Sequence, residues 1–165
     1  MAEPAARPAP SLAPAEAGCL PEGLTLRLTL WAMVATDVAF LAYWTLVTVR
    51  LLPAGLMFAE YAEPRVRAWN WSFLPLDVAA SLTGLAAARS AARGSPEAPT
   101  RLALSLGLTA TAGGMAVAYW LLRGQLDPLW LAPNAFLLLF PLPLLVRLTV
   151  ASRGRPPCTR SASPA

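Results

Sequence analysis

Two carboxylates and one carboxamide lie inside long apolar runs of this sequence. Asp37 lies in "VATDVAF", Asp77 ends the stretch "WNWSFLPLD", and Asn134 follows Pro133 in "LAPNAFL". Inside a membrane, such side chains can provide a counter-charge, a hydrogen bond or a site for a proton. A carboxylate at the bilayer centre costs about 2.5–3.5 kcal/mol on insertion scales. Both aspartates are therefore expected to face other helices, either paired or protonated.

The depths of these three residues differ. At about 1.5 Å per residue, Asp77 and Asn134 lie roughly 8 and 9 Å inside their spans, and Asp37 lies roughly 18 Å inside. Asp77 and Asn134 thus share a level and are expected to hydrogen-bond directly. Asp37 lies about 10 Å further in and needs a bridge. Tyr43, Ser81, Thr109, Thr111 or water could supply it.

Composition excludes several other chemistries. The chain has no histidine, so no imidazole can ligate zinc or haem or act as a general base. Its two cysteines, Cys19 and Cys158, lack metal-ligand spacing. Neither a glycine-rich phosphate loop nor a Ser/His pair is present. We expect no catalytic residues, no metal site and no cofactor, and an enzyme is the least favoured class.

Membrane-spanning helices must position the polar residues. Hydrophobic residues make up 56% of the 165-residue chain and charged residues only 13%, whereas about a quarter of a soluble domain is charged. The apolar residues form four runs, each near the roughly 20 residues that a spanning helix needs. The sequence therefore predicts an all-α integral membrane four-helix bundle over residues 24–151. Its spans are predicted at about 24–49, 72–91, 101–122 and 128–150.

The segments outside the spans also carry signals. Residues 1–23 and the basic segment 152–165 are expected to be disordered, because they cannot bury enough apolar surface to fold. The string "GLMFAEYA", residues 55–62, predicts a short interfacial helix. Trp69 and Trp71 are predicted to anchor the second span at the membrane interface, and Trp120 and Trp130 are predicted as anchors at the same membrane face. Pro141 and Pro143 predict a kink in the fourth span, which could open a cavity near Asn134.

The distribution of arginine predicts the orientation. Nine arginines lie near the side with the tails and the 92–100 loop, and four lie near the side with the 50–71 loop and the 123–127 turn. Because cytoplasmic segments carry the positive excess, both termini are expected in the cytoplasm. The expected partners are the lipid bilayer and either a second copy or another membrane protein. The basic tail is expected to meet anionic headgroups and not nucleic acid.

Four strings carry a resemblance to a known family. They are "DVAFLAYW", "AWNWSFLPLDVAASLTGL", "AGGMAVAYWLLRGQLDPLW" and "APNAFLLLFPL", within roughly residues 36–146. They resemble the YvaD-like family, which comprises small four-span bacterial membrane proteins of unknown function. The resemblance implies the four-span architecture, a bacterial source and therefore a place in the bacterial inner membrane, and it assigns no catalytic or binding residue.

Three functions stay open for the polar interior. In the first, which the sequence favours, the protein is a non-catalytic structural or partner-binding subunit whose polar residues tie helices together. In the second, an intramembrane pocket binds a lipid-like or cationic amphiphile through Asp77 and Asp37, with aromatic walls. The third is a small proton-coupled transporter built as a dimer. The candidate site residues are Asp37, Asp77, Asn134, Ser81, Tyr43, Trp44, Trp71 and Tyr119.

Overall fold

The structure is a computed structural model that describes residues 20, 23–53, 57 and 60–151, with residue 151 described only by its place in a helix. Within these residues the regular elements are all helices. In chain order they are α1 (Leu24–Thr48), α2 (Pro64–Trp71), α3 (Leu74–Ala92), α4 (Ala98–Leu122), α5 (Pro128–Leu139) and α6 (Leu142–Ala151).

Four helical stretches are long and apolar enough to cross a membrane. They are Leu24–Thr48, Pro64–Ala92, Ala98–Leu122 and Pro128–Val150. The shortest has 23 residues, which at about 1.5 Å per residue exceeds the roughly 30 Å of a hydrocarbon core. These helices confirm the prediction of an all-helical chain with four candidate membrane spans.

The second stretch begins at Pro64 rather than near residue 72, because a cap and a proline start a helix there. The Glu63 side chain accepts a hydrogen bond from the Arg65 backbone N–H at 3.3 Å. Pro64 occupies the first turn, where its missing N–H costs little. Ser72 then closes α2, and its hydroxyl donates to the Trp69 carbonyl at 2.6 Å. Trp69 and Trp71 therefore belong to a separate short helix before α3.

The fourth stretch is broken where its prolines predict. Helix α5 ends at Leu139 and α6 begins at Leu142, because Pro141 cannot donate a backbone hydrogen bond to the preceding turn. Pro133 lies inside α5 without ending it. The start of α5 is capped by Asp127, whose carboxylate accepts from the Leu129 N–H at 2.9 Å.

Helix α4 is the central element of the packing. It packs most extensively against α3 and then against α5, while α1 packs against α3. Helix α6 touches both α4 and α1, whereas α5 makes hardly any contact with α1. Because of the break at Pro141, the two halves of the fourth stretch differ in their neighbours: only α6 packs against α1 as well as α4. Helices α1 and α5 are left apart.

One glycine allows α4 and α5 to approach closely. A Cβ atom at Gly113 would lie 2.5 Å from the Leu138 backbone nitrogen and 2.6 Å from the Asn134 carbonyl oxygen. Small residues permit such contacts between membrane helices. Gly113 therefore determines how near the backbone of α5, with Asn134, comes to the central helix.

Several predictions fall on residues that the structure leaves out. The expected disorder of residues 1–23 and 152–165 lies almost wholly outside the described residues, and it stays a prediction together with the domain limits. Of the predicted interfacial helix at 55–62, only residue 57 and residues 60–62 are described. Met57 is buried, with 6% of its surface exposed, and Glu60 has a positive φ of 54°.

Candidate functional site

Helices α1 and α3 run antiparallel, and two contacts define their register. The Trp44 indole Nε1 donates to Asp77 Oδ2 at 2.8 Å. A Cβ atom at Gly84 would lie 2.8 Å from Asp37 Cγ. On each helix the two contacts are seven residues apart, which is about 10.5 Å of helix. The carboxyls of Asp37 and Asp77 thus lie at two different depths, at the spacing estimated from the sequence.

Asp77 is buried, and only one of its carboxyl oxygens is bonded. Its Oδ2 accepts from Trp44, whereas its Oδ1 is buried and has no hydrogen-bond partner among the described residues. The Asp77 backbone carbonyl accepts from the Ser81 hydroxyl at 2.8 Å, one turn further along α3. Leaving a buried acceptor unpaired costs about 1–3 kcal/mol. Oδ1 is therefore open to a donor that this part of the chain does not supply.

Asn134 does not pair with Asp77. Its amide Nδ2 donates to the Trp130 carbonyl, one turn earlier in α5, at 2.7 Å. Asparagine side chains commonly make such local bonds to the backbone, and of the Asp77 oxygens only Oδ2 is bonded, to the Trp44 indole. The direct Asp77–Asn134 hydrogen bond predicted from depth is therefore not formed, although both residues face the same cavity.

That cavity has a volume of about 320 Å³ and lies among α1, α2, α3, α4 and α5. Ligand pockets span roughly 300–1,000 Å³ and combine apolar walls with a few polar groups. Four polar side chains contribute to the lining, namely Tyr43, Asn70, Asp77 and Asn134. Besides the ring of Tyr43, the aromatic rings of the lining are Phe40, Trp44, Trp69, Phe73, Trp120 and Trp130.

Of the aromatic residues predicted for the site, some line the cavity and others pack against the residues that line it. Trp44 lines the cavity, while Trp71 packs behind it with ring centroids 5.5 Å apart. Tyr119 likewise stacks on the lining residue Trp69, at 3.7 Å between centroids and 14° between planes. Sequence reasoning treated Trp69, Trp120 and Trp130 only as interfacial anchors. All three were predicted to lie at the same membrane face, and this shared level was the signal that could have grouped them around one site.

Asn70 was also missed from the candidate residues. It lines the cavity, and its side-chain nitrogen is buried without a hydrogen-bond partner in the described part of the chain. A carboxamide between two tryptophans, close to a membrane carboxylate, was the signal in "WNWSFLPLD". Asn70 and Asp77 thus give the cavity one unpaired donor and one unpaired acceptor.

Asp37 lies outside the cavity lining. It is fully buried, and neither of its carboxyl oxygens has a hydrogen-bond partner among the residues described. It packs against Gly84 and close to Ser105, whose hydroxyl donates to the Ala80 carbonyl at 3.1 Å. The prediction that Asp37 and Asp77 serve one pocket is not supported, because two helical turns separate them. Of the two carboxyls, only Asp77 lines the cavity.

Polar contacts join the loops at one end of the molecule, here called the loop end. It comprises the described residues 49–53, 57 and 60–63 and the turn 123–127. The Tyr43 hydroxyl donates to the Met57 carbonyl. Glu60 pairs with Arg123 at 2.7 Å and accepts from Gln125 Nε2 at 2.5 Å. The Tyr119 hydroxyl accepts from Arg123 at 3.0 Å and raises the pKa of its guanidinium.

Metal ligation finds no support in the part of the chain that the structure describes. No group of three or more His, Cys, Asp or Glu side chains there could hold a metal ion. The arrangement at Asp77 instead offers one carboxylate acceptor, one amide donor and several aromatic faces. Those groups suit reversible binding of an organic cation.

Comparison with known proteins gives two matches. The profile of a family described as "Family of unknown function (DUF5360)" matches residues 29–155. The uncharacterized protein YvaD of Bacillus subtilis (strain 168) is 33% identical over 109 residues, which cover 66% of this chain and 82% of YvaD. No solved structure matches the chain significantly. These matches therefore assign no activity to the site.

Proposed function

The chain belongs to the DUF5360 family, whose function is unknown, and we propose that this membrane protein binds a lipid-like or cationic amphiphile in the cavity at Asp77. One observation carries the proposal: within the described residues, Asp77 Oδ1 is buried and unpaired at the wall of a cavity lined by aromatic rings. We further propose that its four apolar helical stretches cross a bacterial inner membrane, with both termini in the cytoplasm.

A cationic ligand would complement both features of the cavity. An ammonium N–H would donate to Asp77 Oδ1 and compensate a charge that is costly to bury alone. The faces of tryptophan and tyrosine attract cations, by about 2 kcal/mol or more where water is excluded. Trp44, Trp69 and Trp120 would surround such a group, and an apolar chain would follow the remaining walls.

A structural role is the second candidate, because the Trp44–Asp77 hydrogen bond links α1 to α3. In that case Asp77 would act only as a clasp between the two helices. A clasp accounts for Oδ2, but it explains neither the unpaired Oδ1 nor the cavity beside it. The geometry therefore favours ligand binding over the structural role that the sequence favoured.

A proton-coupled transporter receives less support. Such a protein needs titratable groups connected by hydrogen bonds across the membrane. Neither oxygen of Asp37 has a hydrogen-bond partner among the described residues. Within that part of the chain, protein groups alone thus form no hydrogen-bonded path from Asp37 to Asp77.

The substitution Asp77→Asn tests the proposal, with Asp37→Asn as a matched control. The asparagine oxygen can still accept from Trp44, while the negative charge is lost. We expect D77N to retain a melting temperature close to that of the wild type and to weaken binding of dodecylamine at least about tenfold, as for a lost charge-assisted hydrogen bond. D37N should leave that affinity unchanged, because Asp37 lies outside the cavity.

Thermal unfolding in detergent and titration with dodecylamine give both quantities. A D77N protein that loses stability but binds dodecylamine like the wild type would establish the clasp. Wild-type protein that binds no dodecylamine at all would contradict the proposed function.

A further inference from the structure

The mouth of the cavity is apolar and lies between α1 and α5. Among the residues that line the cavity, the exposed ones are Ala39 on α1 and Leu129 and Pro133 on α5. Leu129 is 70% exposed. The backbones of α1 and α5 make hardly any close contact, so these exposed residues border an opening between the two helices. In a membrane-spanning protein, such an apolar opening faces lipid chains.

Toward the loop end, the cavity is covered by buried and half-buried side chains. Met57 and Trp120 are each 6% exposed, and the half-buried rings of Trp69 and Trp130 complete this cover. At the opposite end, α6 contacts α1, and none of its described residues lines the cavity. Among the described lining residues, the exposed ones therefore lie between α1 and α5, whereas those toward the loop end are buried or half-buried.

Two atoms that are unpaired within the described residues define the chemistry of the ligand headgroup. Asp77 Oδ1 needs an N–H or O–H donor. Asn70 Nδ2 carries two hydrogens, of which the neighbouring Tyr43 hydroxyl takes at most one, so it can donate to an acceptor. A primary ammonium with a neighbouring oxygen supplies both, whereas a quaternary ammonium has no N–H to donate. The cavity of about 320 Å³ holds such a headgroup, and a long chain would leave it through the apolar mouth.

We propose that the ligand enters sideways from the bilayer between α1 and α5, and that it is an amphiphile whose primary amine lies beside an acceptor oxygen. This inference rests on the proposed function, and it adds the route and the headgroup. Two sources share the headgroup chemistry: phosphoethanolamine lipids and long-chain amino alcohols.

The test uses full-length protein in nanodiscs of phosphatidylcholine. Four probes are compared: a single-chain phosphoethanolamine lipid, sphinganine, dodecyltrimethylammonium and water-soluble ethanolamine. Versions of the long-chain probes with a brominated chain allow binding to be followed by stopped-flow quenching of tryptophan fluorescence. Comparing the affinities of the phosphoethanolamine lipid and sphinganine shows which of the two ligand classes the protein prefers. The probe that binds more tightly is then used with the variants.

Substitutions at the mouth test the route. Ala39→Phe should slow both association and dissociation about tenfold and leave Kd within about threefold, because it obstructs the path more than the site. Leu129→Ala should accelerate both rates, which an unfolded or damaged protein cannot do. The matched control is Ala118→Phe, at a position of α4 outside the cavity lining, and its rates should equal those of the wild type.

The outcomes separate the two proposals. Equal rates for A39F, L129A and wild type, or ethanolamine binding as tightly as the long-chain amines, would overturn the lateral route. Equal affinity for dodecyltrimethylammonium would overturn the headgroup. A wild-type dimer by mass that A39F converts to monomers would show that a second copy covers the mouth, and it would also overturn the route. If no amine probe distinguishes wild type from D77N, the proposed function itself fails.

Discussion

Asp37 and Gly84 meet across the α1–α3 interface, and the missing side chain of Gly84 makes room for the carboxyl group. A Cβ atom at Gly84 would lie 2.7 Å from Ser105 Oγ and 2.8 Å from Asp37 Cγ. Both distances are far below van der Waals contact. Gly84 is therefore the position that allows α1, α3 and α4 to converge on one buried acid.

We expect Gly84→Ala to destabilise the protein by about 1–3 kcal/mol, as for overpacked cores. The penalty should shrink in an Asp37→Ala background, because the carboxyl no longer competes for the space and the two sites are coupled. Gly107→Ala is the control, since a Cβ atom added there on α4 would have nothing within 4 Å. Reversible unfolding in mixed micelles, followed by tryptophan fluorescence, measures all of these variants. Additive effects of G84A and D37A would contradict the proposed fit.

At the scale of elements, the approach of α5 to α4 positions Asn134 at the cavity. The contact is between backbones, since Leu138 N and Asn134 O both lie close to Gly113. A backbone atom cannot rotate away as a side chain can. Any group added at Gly113 must therefore push the two helices apart.

The neighbouring glycines of α4 provide a matched pair for this contact. Gly113→Ala is expected to lower the free energy of unfolding by an amount near the upper end of about 1–3 kcal/mol. Gly114→Ala should have little effect, because the nearest atom to a Cβ added there is Leu138 Cδ1 at 3.4 Å. The same unfolding assay compares the two variants. If both change stability equally, close α4–α5 packing is not the cause.

For the whole molecule, orientation in the membrane decides which leaflet the mouth of the cavity faces. The arginine distribution predicts that the loop end faces outward. In a Cys19→Ser background, Ala62→Cys should react in intact cells with a membrane-impermeant maleimide, because residue 62 is exposed at the loop end. The native Cys158 should react only after the cells are opened. The reverse pattern of labelling would invert the orientation and assign the mouth to the inner leaflet.

The amino-acid sequence by itself determined the helical class, the four apolar stretches, the break at Pro141 and the different depths of Asp37 and Asp77. These properties are local, since they follow from hydropathy, from proline chemistry and from the fixed rise of a helix. Even the start of the second stretch at Pro64 has a local cause, in Glu63 and its cap.

Only the tertiary structure decided which groups meet. Membrane helices are apolar on every side, so no polar stripe marks the faces that pack together. The register of α1 against α3 gave Asp77 the Trp44 indole as its partner, left Asn134 bonded within its own helix, and separated Asp37 from the cavity. Tryptophans that the sequence presents as interfacial anchors became cavity walls, because helix packing turned their rings inward.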